Sequence, residues 1–190
     1  MNVNKKGLLI VISGPAGCGK DTIIEGLLKD CPDICYSVSA TTRKIRDGEQ
    51  DGKHYLFKTR EEFEELLKRN ELLEYTEYCN NYYGTLKETV TVALDNDKKI
   101  VLKIEVEGAA NVKKIFPDCV SIFILPPSLD ELRRRLENRA TEKECVIDMR
   151  IKKAEMELAR SDDYDYLVTN DDLQTAIDEV ADIIRKEKSK

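Results

Sequence analysis

The sequence predicts an α/β fold in which helices flank a mostly parallel sheet. Two observations carry that expectation. Short apolar runs, of which Leu8-Leu9-Ile10-Val11-Ile12 is the clearest, lack any polar alternation, as strands buried on both faces do. Longer amphipathic stretches lie between them, and strands alternating with helices build βαβ units.

A glycine-rich turn follows the first strand, and a helix begins near Lys20 with Ile23, Ile24, Leu27 and Leu28 on one face. Tyr36 to Ala40 reads as a second strand. Residues 43–53 are polar and turn-rich, with Asp47-Gly48 and Asp51-Gly52, and predict a loop or hairpin. Thr59-Arg60-Glu61-Glu62 has the form of a capping box, in which two side chains satisfy backbone N–H groups reciprocally. It opens a helix to about Asn70. Glu71 to Cys79 looks extended, and Thr85 to Asn96 helical. Ile100 to Ile104 and Val120 to Leu125 are further strands, the latter ended by Pro126-Pro127. Ser128-Leu129-Asp130-Glu131 and Thr141-Glu142-Lys143-Glu144 repeat the box. The first starts a very basic helix, the second a long helix to about Arg160. Tyr166 to Thr169 is a short strand, and Asp171 or Asp172 caps a last helix to about Lys186. There is no repeat and no low-complexity linker, so one core domain is expected, with stretches 36–90 and 133–158 as insertions that move over a site.

Composition narrows the function. The chain has 190 residues, 41% hydrophobic and 36% charged, with a formal net charge of -6. That size buries a core without disulfides or metal. The negative balance argues against non-specific nucleic-acid binding. The six cysteines form no C-x-x-C pair, which reads as thiols kept reduced rather than a disulfide framework or zinc site. His54 is the only histidine, so chemistries needing two are excluded. The apolar run Gly7 to Ile12 is too short for a signal peptide or a membrane span, and a cytoplasmic protein with no membrane partner is expected.

Gly14-Pro15-Ala16-Gly17-Cys18-Gly19-Lys20 matches the phosphate loop G-x-x-x-x-G-K. Its glycines let backbone N–H groups turn inward around phosphate oxygens. The following helix points its positive end at them, and Lys20 adds a mobile cation. A buried-type strand before the loop and an amphipathic helix after it supply the expected context. The next residue, commonly Ser or Thr as a Mg²⁺ ligand, is Asp21, followed by Thr22. The metal is then held by Asp21, by Thr22, or mostly by phosphates. Cys18, beside loop N–H groups and Lys20, is expected to have a lowered thiol pKa.

Further along come Ser37-Val38-Ser39-Ala40-Thr41-Thr42-Arg43, Arg46, Gly48-Glu49, Asp51-Gly52, Tyr55 and Phe57. Leu73-Glu74, Asn81-Tyr82-Tyr83-Gly84-Thr85, Ile104-Glu105-Val106 and Gly108-Ala109 follow, then Pro126-Pro127-Ser128, Arg135-Leu136 and Asn170-Asp171. In these blocks the chain resembles the guanylate kinase family over almost its whole length. The resemblance implies a P-loop NTPase-type parallel sheet flanked by helices, with a small GMP-binding insertion (36–90) and a helical lid (about 133–158). The core would be 1–35, 91–132 and 160–190. It implies transfer of the γ-phosphoryl group of ATP to GMP, and to dGMP, with Mg²⁺. Ser39, Arg43, Arg46, Tyr55 and Tyr83 would hold the acceptor phosphate, a fork-like set of donors suited to a dianion. Glu74 and Thr85 would read the guanine, with Glu105 beside them. Arg135, Arg139 and Arg150 would converge on the ATP phosphates, making them, with Lys20 and Arg43, the catalytic set. Asn170 would lie beside adenine. Monomer and homo-oligomer are both compatible with the sequence.

The chain departs from the family pattern at Ile45 (usually proline), Ala140 (usually glycine) and Lys103 (usually the first of two acids). Pairing of Lys103 with Asp21 would let two departures offset each other. Arg133 and Arg134 read as surface charges, and Tyr82 as a core aromatic. Two other functions fit the same blocks: a non-catalytic binding module, and a same-fold kinase for another phosphorylated acceptor.

Overall fold

Strand β1 (Leu8–Ser13) takes the first apolar run, and all six of its residues are buried. The structure is a computed structural model that describes residues 7–78, 80–138 and 144–189. The next elements are α1 (Lys20–Asp30), β2 (Ile34–Tyr36), β3 (Ala40–Thr41), β4 (Leu56–Phe57) and α2 (Arg60–Lys68). Then come β5 (Leu72–Tyr78), β6 (Asn81–Leu86), α3 (Lys87–Asp95), β7 (Lys99–Lys103) and α4 (Val106–Ile115). The chain ends with β8 (Val120–Leu125), α5 (Leu129–Glu137), α6 (Glu144–Leu158), β9 (Tyr166–Thr169) and α7 (Leu173–Lys188). Helices flank a five-stranded sheet of order β2-β7-β1-β8-β9, and a four-stranded sheet has the order β4-β3-β6-β5. The pairs β2–β7 and β8–β9 are parallel, as the unalternated apolar runs predict.

The chain divides into two compact units. One takes the chain up to Ile10 and Asp33–Cys119. Its smaller sheet pairs β3 with β4 in parallel and with β6 antiparallel, and β5 with β6 as an antiparallel pair. Ala40, Phe63 and Leu72 form its core, with Leu56, Leu66, Leu67, Tyr82 and Leu86 packed around them. Phe63 is fully buried and stacks on Tyr82 at 5.3 Å between ring centroids. Truncating a buried phenylalanine of this kind costs about 3–5 kcal/mol. The α2 capping box is complete: Thr59 Oγ1 accepts from Glu62 N at 3.1 Å, and Glu62 Oε2 accepts from Thr59 N at 2.7 Å.

The other unit takes Val11–Pro32 and the chain from Val120 onward. Helices α5 and α6 share a core of Leu132, Leu136, Ile147, Ile151 and Ala154. Ser128 caps α5 by accepting from Glu131 N, and Asp172, not Asp171, caps α7 by accepting from Thr175 N. Thr141, which opens the third capping box, lies outside the described residues, as do Arg139 and Ala140.

Two sequence expectations change, and one helix is additional to them. Tyr36 to Ala40 is not one strand: β2 ends at Tyr36, and β3 begins at Ala40 in the other sheet. The intervening Ser37 and Ser39 are buried, and apolar patterning carries no mark of a change of sheet. Thr85 belongs to β6, and helix α3 starts only at Lys87. Pairing of Thr85 with Glu74 across the hairpin overrides its helical surroundings. Helix α4 was not legible, because its N-cap, Glu105, makes no side-chain cap and its first turns contain glycine and alanines.

Candidate active site

The phosphate loop runs from the end of β1 to the first residue of α1. Gly14, Gly17 and Gly19 all have positive φ, at 142°, 93° and 95°. Position 14 admits no side chain: a Cβ there would lie 2.4 Å from the Ile124 carbonyl oxygen. The α1 N-terminus presents its unpaired N–H groups at the loop, a ready anion site. Lys20 Nζ curls over the loop and donates to the Gly14 and Pro15 carbonyls at 2.6 and 2.9 Å. Pro15 is buried and Ala16 half-buried, while Asp21 and Thr22, the oxygen donors in the first turn of α1, are exposed.

Cys18 differs from its expectation. It is fully buried, and burial pushes its thiol pKa up more than the nearby Lys20 ammonium brings it down. A thiol buried in this way lacks the exposed, electropositive setting of a reactive one.

Asn170 is buried, and its amide donates to the Cys18 carbonyl at 2.8 Å. Its own carbonyl accepts from Arg135 Nη2 at 3.1 Å, and its N–H donates to Leu125 O at 2.8 Å. Asn170 thus ties the phosphate loop, β8 and Arg135 together. Arg135 also donates to Glu131 Oε1 at 2.8 Å, and Arg134 holds the same carboxylate through both oxygens. These guanidinium groups bring the Glu131 carboxyl down to about 2. Arg133 pairs with Asp148 on the surface, and Arg150 is half-buried on α6. A Cβ on Gly19 would lie 2.1 Å from Asn170 Nδ2. Gly19→Ala is accordingly expected to lower kcat/KM for ATP by roughly 10²-fold through a misplaced loop, read from initial rates against ATP.

The first unit contains a second cluster. Arg43 makes a bidentate ion pair with Glu49, at 2.9 Å to Oε2 and 2.6 Å to Oε1, and Glu49 also accepts from Arg46 N at 2.8 Å. The Arg43 hydrogen bonds hold the Glu49 carboxyl below its ordinary range. The Arg43 guanidinium lies 5.3 Å from the Tyr55 ring centre, and Lys103 Nζ lies 5.2 Å from it. Tyr83 meets Tyr55 edge-on at 5.9 Å, and burial pushes its hydroxyl pKa up. Ser39 is buried and Arg46 is exposed. Glu49 is a residue that sequence reasoning gave no role. Its signal was an acid placed three positions after Arg46 in a loop otherwise marked by arginines.

Beside it, Glu74 on β5 is buried and accepts from Thr85 Oγ1 on β6 at 2.7 Å. Burial, with a smaller push from the Glu105 charge, raises its carboxyl from 4.5 to about 7, against the Thr85 hydrogen bond. The folded chain therefore binds this proton more tightly than the unfolded chain. The resulting stabilisation is full below about 4.5 and lost as the pH rises through about 7. Stability is expected to fall by a few kcal/mol from about pH 4.5 to about pH 8 through this group alone, and Glu74→Gln to remove that part of the dependence in urea unfolding.

Among the described residues no three acidic, histidine or cysteine side chains stand together as a metal cluster. No helix among the described residues is long and apolar enough to cross a membrane.

Comparison with known proteins places the chain in a family. A guanylate kinase of Desulfitobacterium hafniense is 48% identical over 182 residues, spanning 96% of this chain and 91% of the relative. One of Halalkalibacterium halodurans is 50% identical over 186 residues, spanning 98% and 91%. The crystal structure of guanylate kinase from Anaplasma phagocytophilum superposes with a TM-score of 0.83 at 34% identity, covering 98% of this chain and 89% of that one. The family pattern described as guanylate kinase matches residues 6–187, from just before β1 into the last turn of α7, and so this chain belongs to the guanylate kinase family.

Proposed function

We propose that this protein transfers the γ-phosphoryl group of ATP to GMP, and to dGMP, giving ADP and GDP or dGDP in the cytoplasm. The observation that carries the acceptor assignment is the buried Glu74–Thr85 pair. Guanine offers N1–H and a 2-amino group to one carboxylate, while adenine offers neither arrangement. The donor assignment rests on the phosphate loop, whose glycines and Lys20 are all in place. Retention of Gly14, Gly19 and Lys20 speaks against a non-catalytic binding module.

In this reading Ser39, Arg43, Arg46, Tyr55 and Tyr83 bind the GMP phosphate. Glu49 presets Arg43 by occupying its donors as a phosphate would. An oxygen of the GMP phosphate attacks the γ-phosphorus in line, the bond to the ADP oxygen breaks, and no covalent enzyme intermediate forms. Lys20, Arg135, Arg139 and Arg150 stabilise charge on the transferring group. Asp21 or Thr22 in the first turn of α1 would hold Mg²⁺, which would supply charge neutralisation for the triphosphate. Asn170 acts beside the adenine end of the site. We assign 1–35, 91–132 and 160–190 to the core, 36–90 to GMP binding and about 133–158 to a lid whose closure excludes water.

A coupled ADP-release assay with ATP, Mg²⁺ and each of GMP, dGMP, AMP and UMP tests the reading. Turnover confined to GMP and dGMP is expected. Equal or better turnover with AMP or UMP would refute the guanine assignment.

A further inference from the structure

Gly108 lies in the first turn of α4, and its backbone is helical rather than left-handed. Such a backbone suits any residue, and alanine would favour the helix more. What singles out glycine is its neighbour. A Cβ at this position would lie 2.4 Å from Glu74 Oε2 and 3.1 Å from Glu74 Cδ. Side chains do not approach so closely. The other carboxylate oxygen, Oε1, accepts the Thr85 hydroxyl at 2.7 Å. One oxygen is therefore held by a hydrogen bond, and the other lodges where a side chain at 108 would stand. The hydrogen bond on one side and the space left at Gly108 on the other set where the buried carboxylate stands.

We propose that Gly108 is a positioning residue for acceptor-base selection: its missing side chain seats Glu74 so that the carboxylate accepts from both N1–H and the 2-amino group of guanine. The proposal rests on the reading of Glu74 as the guanine partner. Displacing the carboxylate by even one methyl group would break the two-point match. A base that donates only once would lose less than guanine does. Hypoxanthine is such a base, since it carries N1–H but no 2-amino group, and IMP is the probe for it.

The test compares GMP and IMP as acceptors for the intact chain, Gly108→Ala, Glu74→Gln and the double variant Gly108→Ala/Glu74→Asp, with thermal melting alongside. Gly108→Ala is expected to raise KM for GMP by roughly tenfold or more and to lower the GMP:IMP ratio of kcat/KM by a similar factor, with KM for ATP unchanged. A general loss of packing would depress both acceptors and ATP alike. Shortening residue 74 in the double variant is expected to return part of the GMP:IMP preference, because it withdraws the carboxylate from the new methyl group. An unchanged ratio in Gly108→Ala, with Glu74→Gln losing it, would overturn the proposal and leave the reading of Glu74 standing. An unchanged ratio in Glu74→Gln would overturn both. If Gly108→Ala fails to fold, folding of the double variant with a GMP:IMP ratio above that of Glu74→Gln supports the seat, and failure of both to fold overturns it.

Discussion

Replacing Glu74 by glutamine is expected to lower kcat/KM for GMP by about 10³-fold while leaving KM for ATP near its starting value. The carboxylate has enough lone pairs to accept the Thr85 hydroxyl and two guanine N–H groups together. An amide has one oxygen, and its NH₂ would face a donor. Each buried group left unpaired costs about 1–3 kcal/mol, and two such losses reach the expected factor. The same substitution should stabilise the ligand-free chain above neutral pH, since it removes a carboxylate whose charge is disfavoured by burial. Activity and stability thus move in opposite directions, a pattern characteristic of a group kept for binding. In the intact protein KM for GMP should rise as the pH falls through about 7, because the neutral carboxyl must donate where guanine also donates. That rise should be absent from Glu74→Gln. Initial rates from about pH 6 to about pH 8.5, with both chains, check it.

Lys20→Met is expected to lower kcat by about 10³-fold. Methionine matches the reach of lysine but carries no charge, so the γ-phosphoryl group loses a cation in the transition state. The ammonium also donates to the Gly14 and Pro15 carbonyls, so part of the loss would come from a loosened loop. GMP binding separates the two effects from a collapse of the fold. Its dissociation constant, measured by calorimetry, should stay within about twofold, since Lys20 and the Arg43–Tyr55 and Glu74–Thr85 clusters belong to different units.

The phosphate loop was legible in the sequence because its chemistry is local. Seven contiguous residues carry it, the strand before it is an unbroken apolar run, and the helix after it is amphipathic. The Glu74–Thr85 pair was not legible from spacing. Glu74 and Thr85 lie eleven positions apart and meet only because β5 and β6 pair antiparallel in that register. Resemblance to the family, not periodicity, brought them out, and periodicity placed Thr85 in a helix. Gly108 stands among the family-like residues of the sequence, but its significance lies in an oxygen from another element, which no local pattern shows. Cys18 was misjudged because a loop motif shows neighbours along the chain but not burial. The hydrogen bond from the Asn170 amide to the Cys18 carbonyl spans 152 positions, a contact no local pattern encodes.

Phosphoryl transfer to GMP is tested most directly by incubating the protein with ATP radiolabelled at the γ-phosphorus, Mg²⁺ and GMP, and separating the products. Label in the β-phosphate of GDP, in amounts matching the ADP formed, is the expected result. Label retained in ATP, or released only as inorganic phosphate, would contradict phosphoryl transfer to GMP.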